Sequence, residues 1–253
     1  MATGLAAIKS RDEALFESVA MQLARAEHFG EFSFISTPLL LPNGATVVVR
    51  VSRSVEGFLV TDHGLGADEA SLIDGSYFYT RIAAKVAQAA NIGFDQQSFF
   101  VLQVSEAQLP GAVTVVANCV HEAVTKTFQK VEERRAKRDA DRVYEKLTGV
   151  FDAKTIARDV HIIGSSNHEW SFDSGVTLDD GRMVLFEAVS KHHSSVYPAV
   201  AKFYDVARND NAPQRVAVIG QRKAYGDYIS LLSQAARVVE LSSAPSVFRK
   251  AAA

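Results

Sequence analysis

Cysteine is almost absent from this sequence, which has a single one among 253 residues. One thiol cannot form an internal disulfide, nor a zinc site that needs several cysteine ligands. Cys119 lies in an apolar run between Asn118 and Val120, and no neighbouring residue pattern indicates the lowered pKa of a nucleophile. The sequence therefore predicts a packed structural thiol in a protein of the reducing cytoplasm.

A large net charge and long apolar runs are missing as well. The 27 Lys and Arg residues nearly balance the 29 Asp and Glu residues, so the net charge of −2 gives no overall attraction to nucleic acid or anionic membranes. No stretch approaches the ~18 uninterrupted apolar residues of a membrane helix, and residues 1–9 lack the features of a secretory signal. We expect a cytoplasmic protein without membrane association, in which any nucleic-acid contact depends on a local patch.

The common catalytic signatures do not occur in the sequence. It has no Gly-rich phosphate-binding loop ending in Gly-Lys-Ser/Thr, no Gly-x-Gly-x-x-Gly, no His-Glu-x-x-His and no Gly-x-Ser-x-Gly. These absences argue against most nucleotide-dependent enzymes, metalloproteases and α/β-type hydrolases.

The first part of the chain predicts an α+β domain over residues 1–108. Apolar residues at helical spacing predict an amphipathic helix over residues 11–29, with Gly30 as its stop. Three β-like runs at residues 33–41, 46–52 and 57–62 predict an antiparallel meander. Two helical segments and one more strand follow, at residues 68–73, 77–90 and 98–104.

A helical connector is predicted over residues 109–151, with a possible break near residues 136–140. The segment begins apolar and becomes highly charged. Its candidate nucleic-acid-binding residues are Lys130, Arg134, Arg135, Lys137 and Arg138. Their local excess of positive charge could contact phosphates. Mixed charges at this density more often solvate an exposed helix and form i, i+4 pairs, so both roles stay open.

The last part of the chain predicts a second domain over residues 152–253, which follows the end of the connecting helix. The expected order is three antiparallel strands, helix, strand, helix, strand. Asp180-Gly181 provides the hairpin turn between the second and third strands. The strands are placed at residues 159–164, 169–178, 182–190, 215–220 and 237–241, and the helices at residues 195–208 and 225–235.

Two acidic residues are candidate catalytic groups in this second domain. Asp173 lies on its second predicted strand, and Glu187 lies on its third, in Phe186-Glu187-Ala188-Val189-Ser190-Lys191. With the element order, they resemble restriction-endonuclease-like nucleases. The resemblance implies that both carboxylates bind a divalent metal such as Mg²⁺, and that a lysine two residues after the glutamate helps to position water or stabilise charge.

The lysine of that family pattern is missing, because Val189 occupies its position. Lys191 points to the same face of a strand as Glu187 but lies about 6–7 Å beyond the position where the family pattern has its lysine. It is the candidate substitute. Four histidines nearby, His161, His168, His192 and His193, could form a metal or proton-transfer cluster. Exposed histidines at strand ends and in loops are the favoured interpretation.

A second motif lies in the first domain, where Thr61-Asp62-His63-Gly64 ends the third predicted strand. Asp62 and His63 could act as an acid–base pair, but Asp and Gly also suit a turn, which we favour. The stretch from Gly57 to Gly64 resembles a bacterial and phage domain of unknown function with a Leu-Val-Thr-Asp-x-Gly hairpin. In some relatives this domain is joined to a degenerate endonuclease-like domain, which implies a role in phage–host or mobile-element conflict.

These observations leave two functions open. The favoured one is a non-enzymatic protein that binds a protein or a protein–nucleic-acid complex, because Val189 replaces the expected lysine. It requires no cofactor, has a protein as its expected partner and leaves nucleic acid and a homodimer as further possibilities. The alternative is a divalent-metal-dependent nuclease that uses Asp173, Glu187 and Lys191, with Mg²⁺ as the cofactor.

Overall fold

The computed structural model describes the backbone of residues 2–253 and the side chains of residues 12–253. The chain divides into two compact units, Met1–Glu132 and Glu133–Ala253. One long helix contributes residues to both units. Among the described residues, none of the helices combines the length and apolar character needed to cross a membrane.

The first unit contains an antiparallel sheet with helices on one face. Its elements are α1 (Ala2–Gln22), β1 (Arg25–Phe29), β2 (Phe32–Leu40), β3 (Thr46–Ser54), β4 (Gly57–Thr61), α2 (Leu65–Leu72), α3 (Ser76–Ala90), β5 (Gly93–Asp95) and β6 (Ser98–Val104). The strand order is β1-β2-β3-β4-β6-β5. Each neighbouring pair is antiparallel, so the predicted meander is confirmed.

The first helix ends earlier than predicted. The helix predicted over residues 11–29 stops at Gln22, and Arg25–Phe29 form β1, which pairs with β2. Gly30 is therefore not a helix stop. It adopts a φ of +62° in the tight turn between β1 and β2, a conformation that glycine adopts without steric cost. Pairing along a neighbouring strand outweighs the weak local helix preference here.

One face of this sheet carries the core of the first unit. Alternate residues of β3, Val47 and Val49, are fully buried against α2, α3 and the start of the next helix. Cys119 belongs to this core and is 3% exposed. Burial raises the pKa of its thiol to about 11, which agrees with the predicted structural role.

The long helix α4 runs without interruption over Leu109–Thr148. The predicted break near residues 136–140 does not occur, because this charged segment consists largely of good helix formers. Its early residue Val120 packs in the first core, and its late residue Leu147 packs in the second unit.

The second unit contains a mixed sheet with helices on both faces. Its remaining elements are β7 (Ile156–Ile163), β8 (Glu169–Thr177), β9 (Met183–Ala188), α5 (His193–Ala207), β10 (Gln214–Ile219), α6 (Tyr228–Ala235), β11 (Arg237–Glu240) and α7 (Pro245–Ala252). The strand order is β11-β10-β9-β8-β7. The first three strands in sequence pair antiparallel, and β9, β10 and β11 pair parallel. The protein thus has the predicted α+β class, and the second unit has the predicted order of elements from β7 to β11.

Helix α7 is an element that the sequence pattern did not predict. Proline occupies its first turn, a position where the missing N–H has no cost. Phe248 is fully buried in a cluster with Phe186 of β9 and Leu147 of α4. The opposite face of the sheet is covered by α5 and α6.

Candidate active site

Asp173 and Glu187 lie side by side where β8 and β9 separate. The ladder between these strands ends at the pair Ser174 and Phe186. One step further, the same register sets Asp173 opposite Glu187. Beyond the last ladder pair, the strands are joined by the two carboxylates instead of by backbone carbonyl groups.

Each carboxylate accepts a hydrogen bond from the backbone of the other strand. The backbone N–H of Asp173 donates to Oε2 of Glu187 at 3.2 Å. The backbone N–H of Ala188 donates to Oδ2 of Asp173 at 2.7 Å. The second oxygen of Asp173, Oδ1, has no hydrogen-bond partner among the described residues. The predicted pair is therefore brought together, with one carboxylate oxygen available.

A lysine reaches this pair from helix α5. Nζ of Lys202 lies 2.5 Å from Oε1 of Glu187 and donates to the backbone carbonyl of Ser171 at 2.7 Å. It also lies 4.7 Å from the ring centroid of Phe172. The cluster thus contains two acids and one base, the residue types expected of the predicted site, but the base comes from a helix.

Burial and mutual repulsion raise the pKa values of both acids. The side chains of Glu187 and Lys202 are 14% and 12% exposed. The pKa of Glu187 rises to about 7, first because burial disfavours its charge and then because Asp173 repels it, while Lys202 acts in the opposite direction. The pKa of Asp173 is also raised, mainly by burial.

Further negative charge surrounds Asp173. Asp159 of β7 and Asp139 of α4 both act to raise its pKa. Asp159 has a φ of +50° and is missing from the otherwise regular pairing between β7 and β8. The site is therefore a place of concentrated negative charge in which Lys202 is the cation that contacts Glu187.

Val189 is fixed in the core and leaves no space for the lysine of the family pattern. Its side chain is 3% exposed and packs with residues of α5 and α6. Its N–H donates to the carbonyl of Val218, and its carbonyl accepts the hydroxyl of Tyr225 at 2.6 Å. A lysine side chain here would bring its charge among apolar groups.

Lys191 and the predicted histidine cluster lie elsewhere. Lys191 is exposed between β9 and α5, and neither Asp173 nor Glu187 bonds to it. The histidines are exposed, as favoured; His161 lies 3.7 Å from Glu169, and His168 packs edge-on against Trp170. Among residues 12–253, no group of three or more His, Cys, Asp or Glu side chains is placed to hold a metal ion.

The predicted basic residues all lie on α4. The exposed ones are Lys130, Arg134, Lys137 and Arg138. Helical periodicity places these four within one sector of about 100° and sets the partly buried Arg135 outside it. The cations thus form a stripe along the charged part of the helix, although acidic residues such as Asp141 interrupt it. Asp141 itself binds Arg158 at 2.6 Å.

Asp62 serves the turn after β4, as favoured. It is 3% exposed, and its carboxylate accepts the backbone N–H groups of Phe99 at 2.7 Å and Gly66 at 3.1 Å. His63 is exposed and has a φ of +53°. Burial raises the pKa of Asp62 despite these bonds. The carboxylate thus ties the start of α2 to β6, and His63 points away as part of the turn.

Lys202 is the candidate site residue that sequence reasoning missed. A signal for it exists, because Lys202 lies three residues after Ala199 and four before Val206, both buried on the inner side of α5. A lysine at the border of an apolar helix face often extends its charge toward an acid at the edge of the covered surface. Its separation of 15 residues from Glu187 in sequence concealed the contact.

No protein-family model matches the sequence, and no curated protein matches it either.

Proposed function

We propose that the protein is a divalent-metal-dependent nuclease whose catalytic group consists of Asp173, Glu187 and Lys202. The observation that carries this proposal is the 2.5 Å contact between Lys202 and Glu187, beside a second carboxylate on the adjacent strand. The helix-borne lysine takes the role that Val189 cannot fill. The mixed sheet and its connections support a restriction-endonuclease-like fold for the second unit.

The donor set fits a hard divalent cation such as Mg²⁺. Carboxylate oxygens are its preferred protein ligands, and Mg²⁺ commonly takes one or two of them and completes its shell with water and phosphate. Oδ1 of Asp173 is available, and repulsion between the two acids favours a cation between them. Asp173 and Glu187 would hold the ion. When bound, it polarises a phosphodiester and lowers the pKa of a water molecule.

The other groups of the site have separate roles. Lys202 supplies a fixed positive charge that stabilises negative charge on a phosphate oxygen. The backbone N–H of Ala188 orients Asp173, and Tyr225 holds the end of β9 through the carbonyl of Val189. The exposed cations of α4 are candidates for contact with the phosphate backbone of the substrate.

The test is cleavage by the purified full chain. Labelled single- and double-stranded DNA and RNA are incubated with Mg²⁺, Mn²⁺ or a chelator, and products are resolved on gels. We expect metal-dependent cleavage that Glu187→Gln and Lys202→Met each reduce by on the order of 100-fold or more, because each removes a charge used in the reaction.

Lys191→Met is the matched control, since it removes the same charge from an exposed position 11 residues earlier in the chain. It should cleave like the wild type. Circular dichroism verifies that the variants are folded. Full activity in Lys202→Met, or equal losses in both lysine variants, would remove Lys202 from the catalytic group.

A second candidate is the non-enzymatic binding protein. It is favoured by the closure of the site, because both oxygens of Glu187 are bonded within the chain and its side chain is 14% exposed. It is also favoured by the exposed apolar side chains of α1, which suit a protein partner or a second copy. The resemblance of the Gly57–Gly64 stretch to a bacterial and phage domain supports a role of such binding in phage–host or mobile-element conflict. Lack of cleavage under all metal conditions would favour this candidate.

A further inference from the structure

The sheet of the first unit has one face that its core does not use. Val47, Val49 and Val60 point into the core, so the alternate residues of the same strands point the other way. Strand register places Phe29 opposite Phe32 and Phe34 opposite Arg50 on this second face. None of these four side chains belongs to the hydrophobic core or to the apolar side chains packed against it.

Three phenylalanine rings form a cluster on this face. The ring centroids of Phe32 and Phe34 lie 5.4 Å apart, and that of Phe29 lies 5.9 Å from Phe32 and 5.8 Å from Phe34. Phe29 is 51% exposed and lies on the edge strand β1, whose five residues are all exposed. Phe32 and Phe34 are half-buried, so the three rings form a contiguous apolar patch outside the core, and such patches mark interaction sites.

Arg50 extends this cluster with a positive charge. Its guanidinium carbon lies 4.2 Å from the ring centroid of Phe32, and Nη1 lies 3.3 Å from both ring nitrogens of His63. No ion pair joins Arg50 to an acid among the described side chains, and its Nε has no hydrogen-bond partner there. The nearby Arg25 differs, because it pairs with Glu27 at 3.5 Å.

We propose that this face, formed by Phe29, Phe32, Phe34 and Arg50, binds single-stranded nucleic acid. Unstacked bases have flat apolar faces that stack on aromatic rings, and their phosphates attract a cation without an acidic partner. An open antiparallel sheet presents such rings at the spacing of its strands. A base pair inside a duplex cannot offer its flat face, so the chemistry of the surface selects single strands.

This inference is independent of the proposed nuclease site, which lies in the other unit and uses other residues. It is also distinct from the cation stripe of α4, where phosphate attraction alone would operate. Charge attraction by itself would respond equally to two variants that each remove one positive charge from the same strand. A surface that also stacks bases should respond to only one of them, so a pair of such variants tests the proposal.

The test is fluorescence anisotropy with the full chain and labelled oligonucleotides of about 20 nucleotides, long enough to cover a sheet face. The probes are oligo(dT), oligo(rU) and a duplex of equal length, in a chelator so that cleavage cannot occur. We expect single strands to bind at least about tenfold more tightly than the duplex. Phe29→Leu and Arg50→Gln should each weaken single-strand binding about tenfold, which corresponds to about 1.4 kcal/mol.

Two matched variants serve as controls. Tyr77→Leu removes an exposed aromatic ring from α3, and Arg53→Gln removes one exposed charge from the same strand as Arg50. Both should bind within about twofold of the wild type, since neither belongs to the proposed surface. Arg50→Lys keeps the charge but lacks the planar group, so it should also bind more weakly.

Three results would overturn the proposal. They are equal affinity for single strands and duplex, equal losses in Arg50→Gln and Arg53→Gln, and no binding of any oligonucleotide at low salt. The last result would indicate a protein partner for this face. Circular dichroism of each variant distinguishes weaker binding from loss of the fold.

Discussion

Groups close to Glu187 shift the pKa of its carboxyl in opposite directions. Lys202 favours its ionised form, while burial and Asp173 disfavour it, and the balance raises its pKa to about 7 from the ordinary value of 4.5. Between these two pH values, the folded protein holds a proton on Glu187 that the unfolded chain has released. The free energy of unfolding therefore falls as pH rises through this window.

This balance predicts a pH-dependent stability difference between the wild type and Glu187→Gln. From pH 4.5 to pH 8, the unfolding free energy of the wild type should fall relative to that of the variant by up to about 3 kcal/mol, because glutamine does not titrate. Urea unfolding at several pH values measures it. Parallel curves for wild type and Glu187→Gln would refute the raised pKa.

The two acids on the strands could be predicted from the sequence, whereas the lysine on helix α5 could not. Asp173 and Glu187 were predicted as a pair because the strand order and the acids resemble restriction-endonuclease-like nucleases, and the register of the β8–β9 hairpin brings them together. Lys202 could not be predicted, because the rotation and position of α5 on the sheet depend on packing in three dimensions. Its contact with Glu187 is set by buried α5 residues such as Phe203.

Among the elements, those with a strong periodic pattern were predicted and short ones were not. Strand β6 matches its predicted range, residues 98–104, because its flanks contain clear breaks. Strand β1 was assigned to a helix, since its local sequence suits either structure and only pairing with β2 decides. Helix α7 spans eight residues, so its buried positions Phe248, Ala251 and Ala252 cover little more than one turn, which is too short for a clear periodic pattern.

Helix α7 should nevertheless contribute strongly to stability. Phe248 is fully buried and packs against Phe186, with ring centroids 6.4 Å apart. Phe248→Ala should lower the free energy of unfolding by about 3–5 kcal/mol, because it removes buried apolar area and leaves a cavity. Val247→Ala, at a partly exposed position of the same helix, should cost less than about 1 kcal/mol. Equal losses in urea unfolding would show that α7 is not anchored through Phe248.

At the scale of the whole molecule, the chain builds separate cores in its two units. The core of the first unit contains residues of β3, β4 and the early part of α4. The cores of the second unit contain its own strands, α5 to α7 and the late part of α4. The sequence indicated two domains through its change of pattern, but it could not show that one helix supplies residues to the cores of both.

Helix α1 differs from the other helices because its described side chains, residues 12–22, are all exposed. They include Leu15, Phe16 and Val19. Isolated helices of this length are marginal in water and gain most of their stability from packing. A homodimer, which the sequence leaves open, would cover α1 with a second copy of the chain. Sedimentation equilibrium at about 10 μM should give twice the 27.5 kDa mass of one chain.

A negative charge among the exposed apolar side chains of α1 should dissociate the dimer. Phe16→Glu would place a carboxylate in the apolar contact, where an unpaired charge is costly, and should shift the mass to that of one chain. Tyr77→Glu introduces the same charge at an exposed position on α3 and should remain dimeric. A wild type that sediments as a single chain at every concentration tested would exclude the dimer. In that case, the apolar face of α1 would be left for a different protein, as the binding-protein function requires.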